Sequence, residues 1–232
     1  MIVQSDLLFK YSSIMKNRLL LVLFISNLIL SSVAVAQIAA TDQGFDNLET
    51  LSTGWVLTNQ SNPIGTTNWQ QGDSGLFAAQ SGAGTSYISA NFNNTGGEAG
   101  NPGTICNYLI MPDLGNLATV SFQARSRIAR NNFNVFPDRL YVVYSPTGEI
   151  NTGNCTEGFG DFTETLLVIN PDLTQETTIP DGFPIANWLP FSTEVNGSGR
   201  VAFVYYVEQA GFFGINSNYI GIDTVEWELV AP

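Results

Sequence analysis

The chain contains no histidine, and its 8 Lys and Arg face 20 Asp and Glu for a net charge of −12. Without histidine there is no Ser-His-Asp triad, no Cys-His pair and no His-based metal centre. Lysine occurs only at Lys10 and Lys16, so the body of the chain has no lysine base or Schiff-base residue. Its remaining cations are Arg125, Arg127, Arg130, Arg139 and Arg200. A surface this acidic repels phosphate backbones and anionic lipids, which excludes nucleic acid and peripheral membranes as natural partners. Divalent cations and neutral partners such as glycans remain compatible. Helical periodicity is also missing, since no convincing amphipathic helix occurs after Gln37.

What is present begins with an export signal. Met15 precedes Lys16 and Arg18, then the apolar run from Leu19 to Leu30, then Ala34-Val35-Ala36. A positive start, a short apolar stretch and small residues at the end read as a signal peptide cleaved after Ala36, too short for a confident transmembrane helix. Residues 1–14 read as an extended start, and 37–232 as one domain. The expected localisation is secreted or periplasmic, with no membrane insertion once the signal is removed. Export makes a disulfide the default for Cys106 and Cys155, two free thiols being the alternative. Closing that span would stabilise the fold by roughly 4 kcal/mol.

Between runs of Gly, Asn, Ser and Thr lie short apolar-alternating segments, the pattern of an antiparallel sandwich or barrel. Strands are predicted at 54–59, 76–80, 86–92, 104–111, 118–124, 139–144, 162–169, 188–195, 200–208 and 218–230, which makes roughly ten. The Gly- and Asn-rich stretch 93–103 is expected to be irregular. The closing strand, Asn218 to Val230, carries a phase break. Ile220 and Ile222 fall on even positions, but Val225, Trp227 and Leu229 on odd ones. A period of two keeps both sets on one face only if an extra residue is accommodated, so a β-bulge is predicted at Asp223-Thr224.

Several blocks together resemble the choice-of-anchor J family, related to the cleaved adhesin domains of gingipain-type proteases. They are Gly54-Trp55, Asn59 to Trp69, Phe77 to Gly82, Ser86 to Ile88, Asn107 to Pro112, Asp138 to Leu140, Gly160 to Phe162, Gly199 to Phe203 and Tyr219 to Thr224. The resemblance implies an all-β, antiparallel jelly-roll-like β-sandwich, exported from a bacterium and usually followed by a sorting tail. This chain stops at Val230-Ala231-Pro232 with no hydrophobic or basic end, so a secreted rather than anchored domain is expected. Related jelly rolls hold structural Ca2+ where the first and last strands meet. The matching positions are Asp46 and Asp223, with Asn47 and Asn91 as further oxygen donors. Calcium takes six to eight oxygens, so carbonyls and water would complete such a shell. Without a metal, Asp46 would cap a turn and Asp223 would be solvated or bonded to backbone.

Phe212 and Phe213, between Gly211 and Gly214, are candidate ligand-binding residues if exposed, or a lid over the core if folded back. Trp55, Trp69, Trp188 and Trp227 fall in strand contexts and are assigned to the core. Arg125, Arg127 and Arg130 would form a small anion site or, as expected on an acidic chain, pair with nearby carboxylates. No catalytic residue is assigned. A two-carboxylate glycosidase remains chemically open through Asp223 and Glu226, but alternating acids on an exposed face account for Glu226 and Glu228. The function expected is an exported, non-catalytic, adhesin-like module, calcium-stabilised, whose partner is an extracellular glycan or a cell-surface or matrix protein. The alternatives are a carbohydrate-binding domain and, behind it, a glycoside hydrolase.

Overall fold

The computed structural model describes residues 41–127, 136–177, 180 and 182–230. The signal segment, Arg130 and the extreme C-terminus lie outside them. The strands in chain order are β1 (Thr41–Gln43), β2 (Val56–Asn59), β3 (Gln70–Gln71), β4 (Ile88–Asn91), β5 (Gly97–Glu98), β6 (Asn101–Ile110), β7 (Asn116–Ser126), β8 (Leu140–Ser145), β9 (Glu164–Ile169), β10 (Leu189–Ser198), β11 (Arg200–Ala210) and β12 (Tyr219–Leu229). Two short 3-10 turns, Leu48–Thr50 and Phe92–Asn94, are the helical elements among the described residues. None of these residues forms a helix long and apolar enough to cross a membrane.

All pairings are antiparallel. One sheet runs β10-β7-β12-β4-β3 with β1 also on β12, and the other runs β2-β6-β11-β8-β9 with β5 on β6. They face each other as the expected jelly-roll-like sandwich. Its core interleaves inward residues of both sheets, among them Phe122, Ile220, Ile222 and Val225 against Leu109, Val142, Phe203 and Val207. Phe122 and Phe203 meet edge to face across the layers at 4.9 Å, a favoured aromatic geometry.

The phase break in the closing strand is a bulge. The β12–β7 register shifts between Asp223 and Glu226, and Thr224 adopts φ +49°. Ile220, Ile222 and Val225 are all fully buried as a result. The bulge also marks a change of neighbour: β4 pairs with Tyr219 to Ile222, and β1 with Val225 to Trp227.

Two local expectations are corrected. Residues 76–80 are not a strand, because their polar backbone is used by the 72–86 loop, with Leu76 N and Phe77 N donating to Asp73 O. The 93–103 stretch is not irregular throughout, since β5 and the start of β6 pair across a two-residue turn at Ala99-Gly100, Glu98 opposite Asn101. Gly100 takes the positive φ such a turn needs.

The outer face of the second sheet is apolar too. Cys106, Tyr108, Ile110, Val143, Ala202, Val204 and Tyr206 are buried there with Cys155 and Phe162. The 146–163 loop covers them, joined to β6 by the Cys106–Cys155 disulfide with Cα atoms 5.7 Å apart and a sequence separation of 49. Replacing both cysteines by serine is expected to lower stability by about 2–5 kcal/mol and the melting midpoint by roughly 10 °C. Calorimetry of the double variant measures this, with far-UV circular dichroism showing that the sheets persist.

Candidate functional site

The lead-in turn is anchored by Phe45, which is buried against Trp55 at 5.4 Å and has φ +52°. Gln71 Nε2 donates to Phe45 O and to Thr85 O, at 2.8 and 2.6 Å, tying the lead-in to the 72–86 loop. Asp46 follows at the surface, facing that loop at Gly82. A Cβ on Gly82, whose φ is +76°, would stand 3.1 Å from Asp46 Oδ1 and 3.1 Å from Ser86 Oγ.

Asp223 reaches the same loop from the bulge and is fully buried. Its Oδ2 accepts from Gln80 N at 2.7 Å and Ser81 N at 3.2 Å, and its Oδ1 from Thr224 N at 2.6 Å and Thr224 Oγ1 at 3.3 Å. Burial raises the Asp223 pKa, while these donors act in the opposite direction. Asp46 and Asp223 therefore both face one loop, the first from the turn after β1 and the second from the bulge of β12.

The asparagines go elsewhere. Asn47 Oδ1 caps the first 3-10 turn by accepting from Glu49 N at 2.9 Å. Asn91 caps the second, accepting from Asn93 N at 2.8 Å. Asn91 stands opposite Tyr219, four residues from Asp223 and about 13 Å away at a strand's rise. Calcium takes six to eight oxygens, and at Gly82 the structure brings up two, Asp46 Oδ1 and Ser86 Oγ. The two loop amides on Asp223 Oδ2 make it the support of the loop. Among the described residues, no group of three or more His, Cys, Asp or Glu is arranged to hold a metal.

The loop carries an aromatic box onto the outer face of the first sheet. Phe77 stacks on Tyr87 at 5.0 Å and meets Trp188 and Tyr219 edge-on at 5.5 and 5.4 Å. Trp188 is half-buried here rather than in the core, its Nε1 donating to Ala78 O at 2.9 Å. Gly221 is required beneath the box, since a Cβ there would lie 2.7 Å from Trp188 and 2.9 Å from Tyr87. Arg125 corrects the expected pairing with carboxylates. Its guanidinium lies 4.1 Å from the Phe77 ring centre, its Nη2 donates to Ile185 O at 3.3 Å, and its Nε has no partner. Arg127 likewise joins no ion pair, and the one ion pair among the described residues is Arg139–Glu208. Trp55 and Trp69 are buried as expected, and Trp227 packs against the core.

The Asp223–Glu226 pair lacks the arrangement of a hydrolase. The bulge returns both to the outer face, but Asp223 is buried and bonded to the backbone of its loop, while Glu226 is exposed. Two-carboxylate hydrolysis requires both acids to face the sugar across a cleft.

Sequence reasoning missed a second buried acid. Asp138 Oδ1 accepts from Tyr205 OH at 2.5 Å and Asn218 N at 2.8 Å, and its Oδ2 accepts from Ser126 Oγ at 2.5 Å. Burial pushes its pKa up to about 6 against the pull of these hydrogen bonds. The cavity beside it has a volume of about 10 Å³, room for one water and no substrate, so Asp138 is a structural tie.

The Phe212-Phe213 loop does not fold back as a lid. Phe212 is 77% exposed, Phe213 50%, Ile215 70% and Ile64 66%. The loop is nonetheless fixed, with Ile215 N and Asn216 N on Gln209 O and Gly211 N on Ser217 Oγ. Gly211 packs against Thr95 and Gly96, and Ile64 bridges to Thr95. These apolar side chains therefore share one end of the sandwich.

No protein-family model and no curated protein matches the chain. Among solved structures, it is similar to the K2 cleaved adhesin domain of Lys-gingipain, with TM-score 0.53 and 19% identity over 82% of this chain and 100% of that one. The K1 cleaved adhesin domain of Lys-gingipain from Porphyromonas gingivalis W83 matches with TM-score 0.51 and 21% identity, over 83% and 99%. A family 29 carbohydrate-binding module gives TM-score 0.38 at 11% identity, too distant to bear on function. The fold is thus of the cleaved-adhesin type.

The raised pKa of Asp138 sets a pH dependence. Between the ordinary aspartate range and pH 6 the native state binds more protons than the unfolded chain, so stability increases as pH falls through that window. The melting midpoint is expected to be higher at pH 5 than at pH 7.5, and Asp138→Asn to flatten the difference in a thermal scan series.

Proposed function

We propose that the chain is an exported, non-catalytic binding module of the adhesin type, which engages a protein surface through its apolar end. The observation that carries this reading is the exposure of Phe212, Phe213, Ile215 and Ile64 together on well-anchored loops. Large apolar side chains held in water at one place mark an interaction surface. With a net charge of −12 over the full sequence, the complementary partner is neutral or basic around an apolar centre. The fold likeness to cleaved adhesin domains supports the same reading. A disulfide suits an exported chain.

A glycan is the weaker occupant of this end. Phe212 and Phe213 meet at 86° with ring centres 5.1 Å apart, which presents one face and one edge instead of a flat platform for sugar rings. Phe212→Ser with Phe213→Ser is expected to leave the melting midpoint within about 2 °C, as surface changes do, and to weaken binding to cell-surface or matrix proteins at least tenfold. Biolayer interferometry against an immobilised panel of matrix proteins checks it, and undiminished binding would overturn the reading.

Calcium stabilisation is the second part of the proposal. Asp46 would hold the ion at the Gly82 cradle with Ser86, while Asp223 keeps the loop in place. A ligand at a hundred times its dissociation constant adds about 2.7 kcal/mol, or roughly 5–10 °C for a domain of this size. Thermal unfolding in excess calcium against chelator should show that shift, and Asp46→Ala should abolish it without changing the chelator midpoint. Equal midpoints in the two solutions would remove calcium from the account.

A further inference from the structure

The 146–163 loop does more than cover the second sheet. Between it and the outward side of β9 lies an open groove of about 550 Å³, within the range of small-ligand sites. Phe159 supplies its apolar surface over the buried Phe162, while Asn154, Glu157, Thr163 and Thr165 supply polar groups. We propose that this groove binds a neutral saccharide, independently of the apolar end.

The chemistry of the lining selects the ligand. A sugar ring offers C–H faces to an aromatic side chain and hydroxyls that both donate and accept. Thr163 and Thr165 are exposed, and their hydroxyls are free of protein partners. Glu157 Oε2 accepts from Asn154 Nδ2 at 3.1 Å, which orients the carboxylate and leaves Oε1 open to a donor. Its own N–H is held by Asn154 Oδ1 at 2.8 Å. The charged group in the lining is this one carboxylate, and no cation accompanies it. Uronates, sulfated sugars and other anions are therefore repelled, and a hydroxyl-rich neutral chain is accepted.

The site is also built in advance of its ligand. Asp161 Oδ2 takes hydrogen bonds from both Asn151 N and Asn151 Nδ2 at 2.8 Å, Tyr108 OH donates to Gly153 O at 3.1 Å, and Cys155 is bonded to Cys106. Phe159 is held at 5.0 Å from Tyr141 and 6.1 Å from Tyr206. A wall fixed by covalent and hydrogen bonds loses little freedom on binding, which raises affinity for a given set of contacts.

Isothermal titration of the full chain with neutral hexasaccharides (glucan, mannan, xylan and galactan series) and with oligogalacturonate tests the proposal. Binding of at least one neutral series and none of the uronate is expected. Thr165→Trp, which fills the groove from an exposed strand position, should weaken that binding at least tenfold with an unchanged melting midpoint. Glu157→Gln serves as the smaller second variant and should weaken it severalfold. The Phe212→Ser, Phe213→Ser protein should bind the saccharide as the parent does, so this result stands or falls apart from protein adhesion. No binding of any neutral series at millimolar concentration overturns the proposal. So does saccharide binding unaffected by both groove variants, or binding of oligogalacturonate in preference.

Discussion

A single carboxylate holds the outer layer of the first sheet. Asp223 sits at the bulge of β12, out of water, with its oxygens given to Gln80 N, Ser81 N and the Thr224 donors. A buried carboxylate without such donors would cost several kcal/mol. The interaction fixes the 72–86 loop, the loop delivers Phe77 to Tyr87, Tyr219 and Trp188, and Gly82 meets Asp46 from the opposite end of the chain. Removing the carboxylate would leave the loop amides unpaired and the aromatic box unsupported.

The same strand is held at its start by another acid. Asp138, entering β8, accepts from Asn218 N just before β12, and from Ser126 and Tyr205 of the two sheets. The two buried carboxylates thus bracket the stretch of β12 that runs under the box. Both have raised pKa values for the same reason, desolvation. The cavity beside Asp138 has room for one water only, and Asp223 is spent on the backbone of its loop, so both acids serve architecture.

How much of this was legible in the sequence depended on the range of each interaction. The bulge could be found because it leaves a local trace, the shift of apolar residues from even to odd positions around Asp223. The 76–80 segment misled for the opposite reason. Leu76 and Phe77 look like strand residues, but Phe77 is apolar because three distant aromatic rings surround it. Asp138 gave no local sign, since its partner Tyr205 lies 67 residues away. The resemblance matches Asp46 and Asp223 to a site where the first and last strands meet, and both side chains face the 72–86 loop, whereas Asn91 is carried off by the register of β4. Arg125 was misjudged because a charge-based argument overlooks an aromatic face as a partner for a guanidinium.

The pairing of β1 with β12 has a mechanical meaning. Thr41 stands opposite Trp227, so the chain enters and leaves this sandwich at neighbouring points on one sheet. A tether pulling at those two points would load the hydrogen bonds of the three-residue β1 in succession, as a zipper, and not all together in shear. The bulge with its Asp223 carboxylate lies just past the last of those rungs, so tension along the chain would strip the first strand and then meet the best-anchored position of β12.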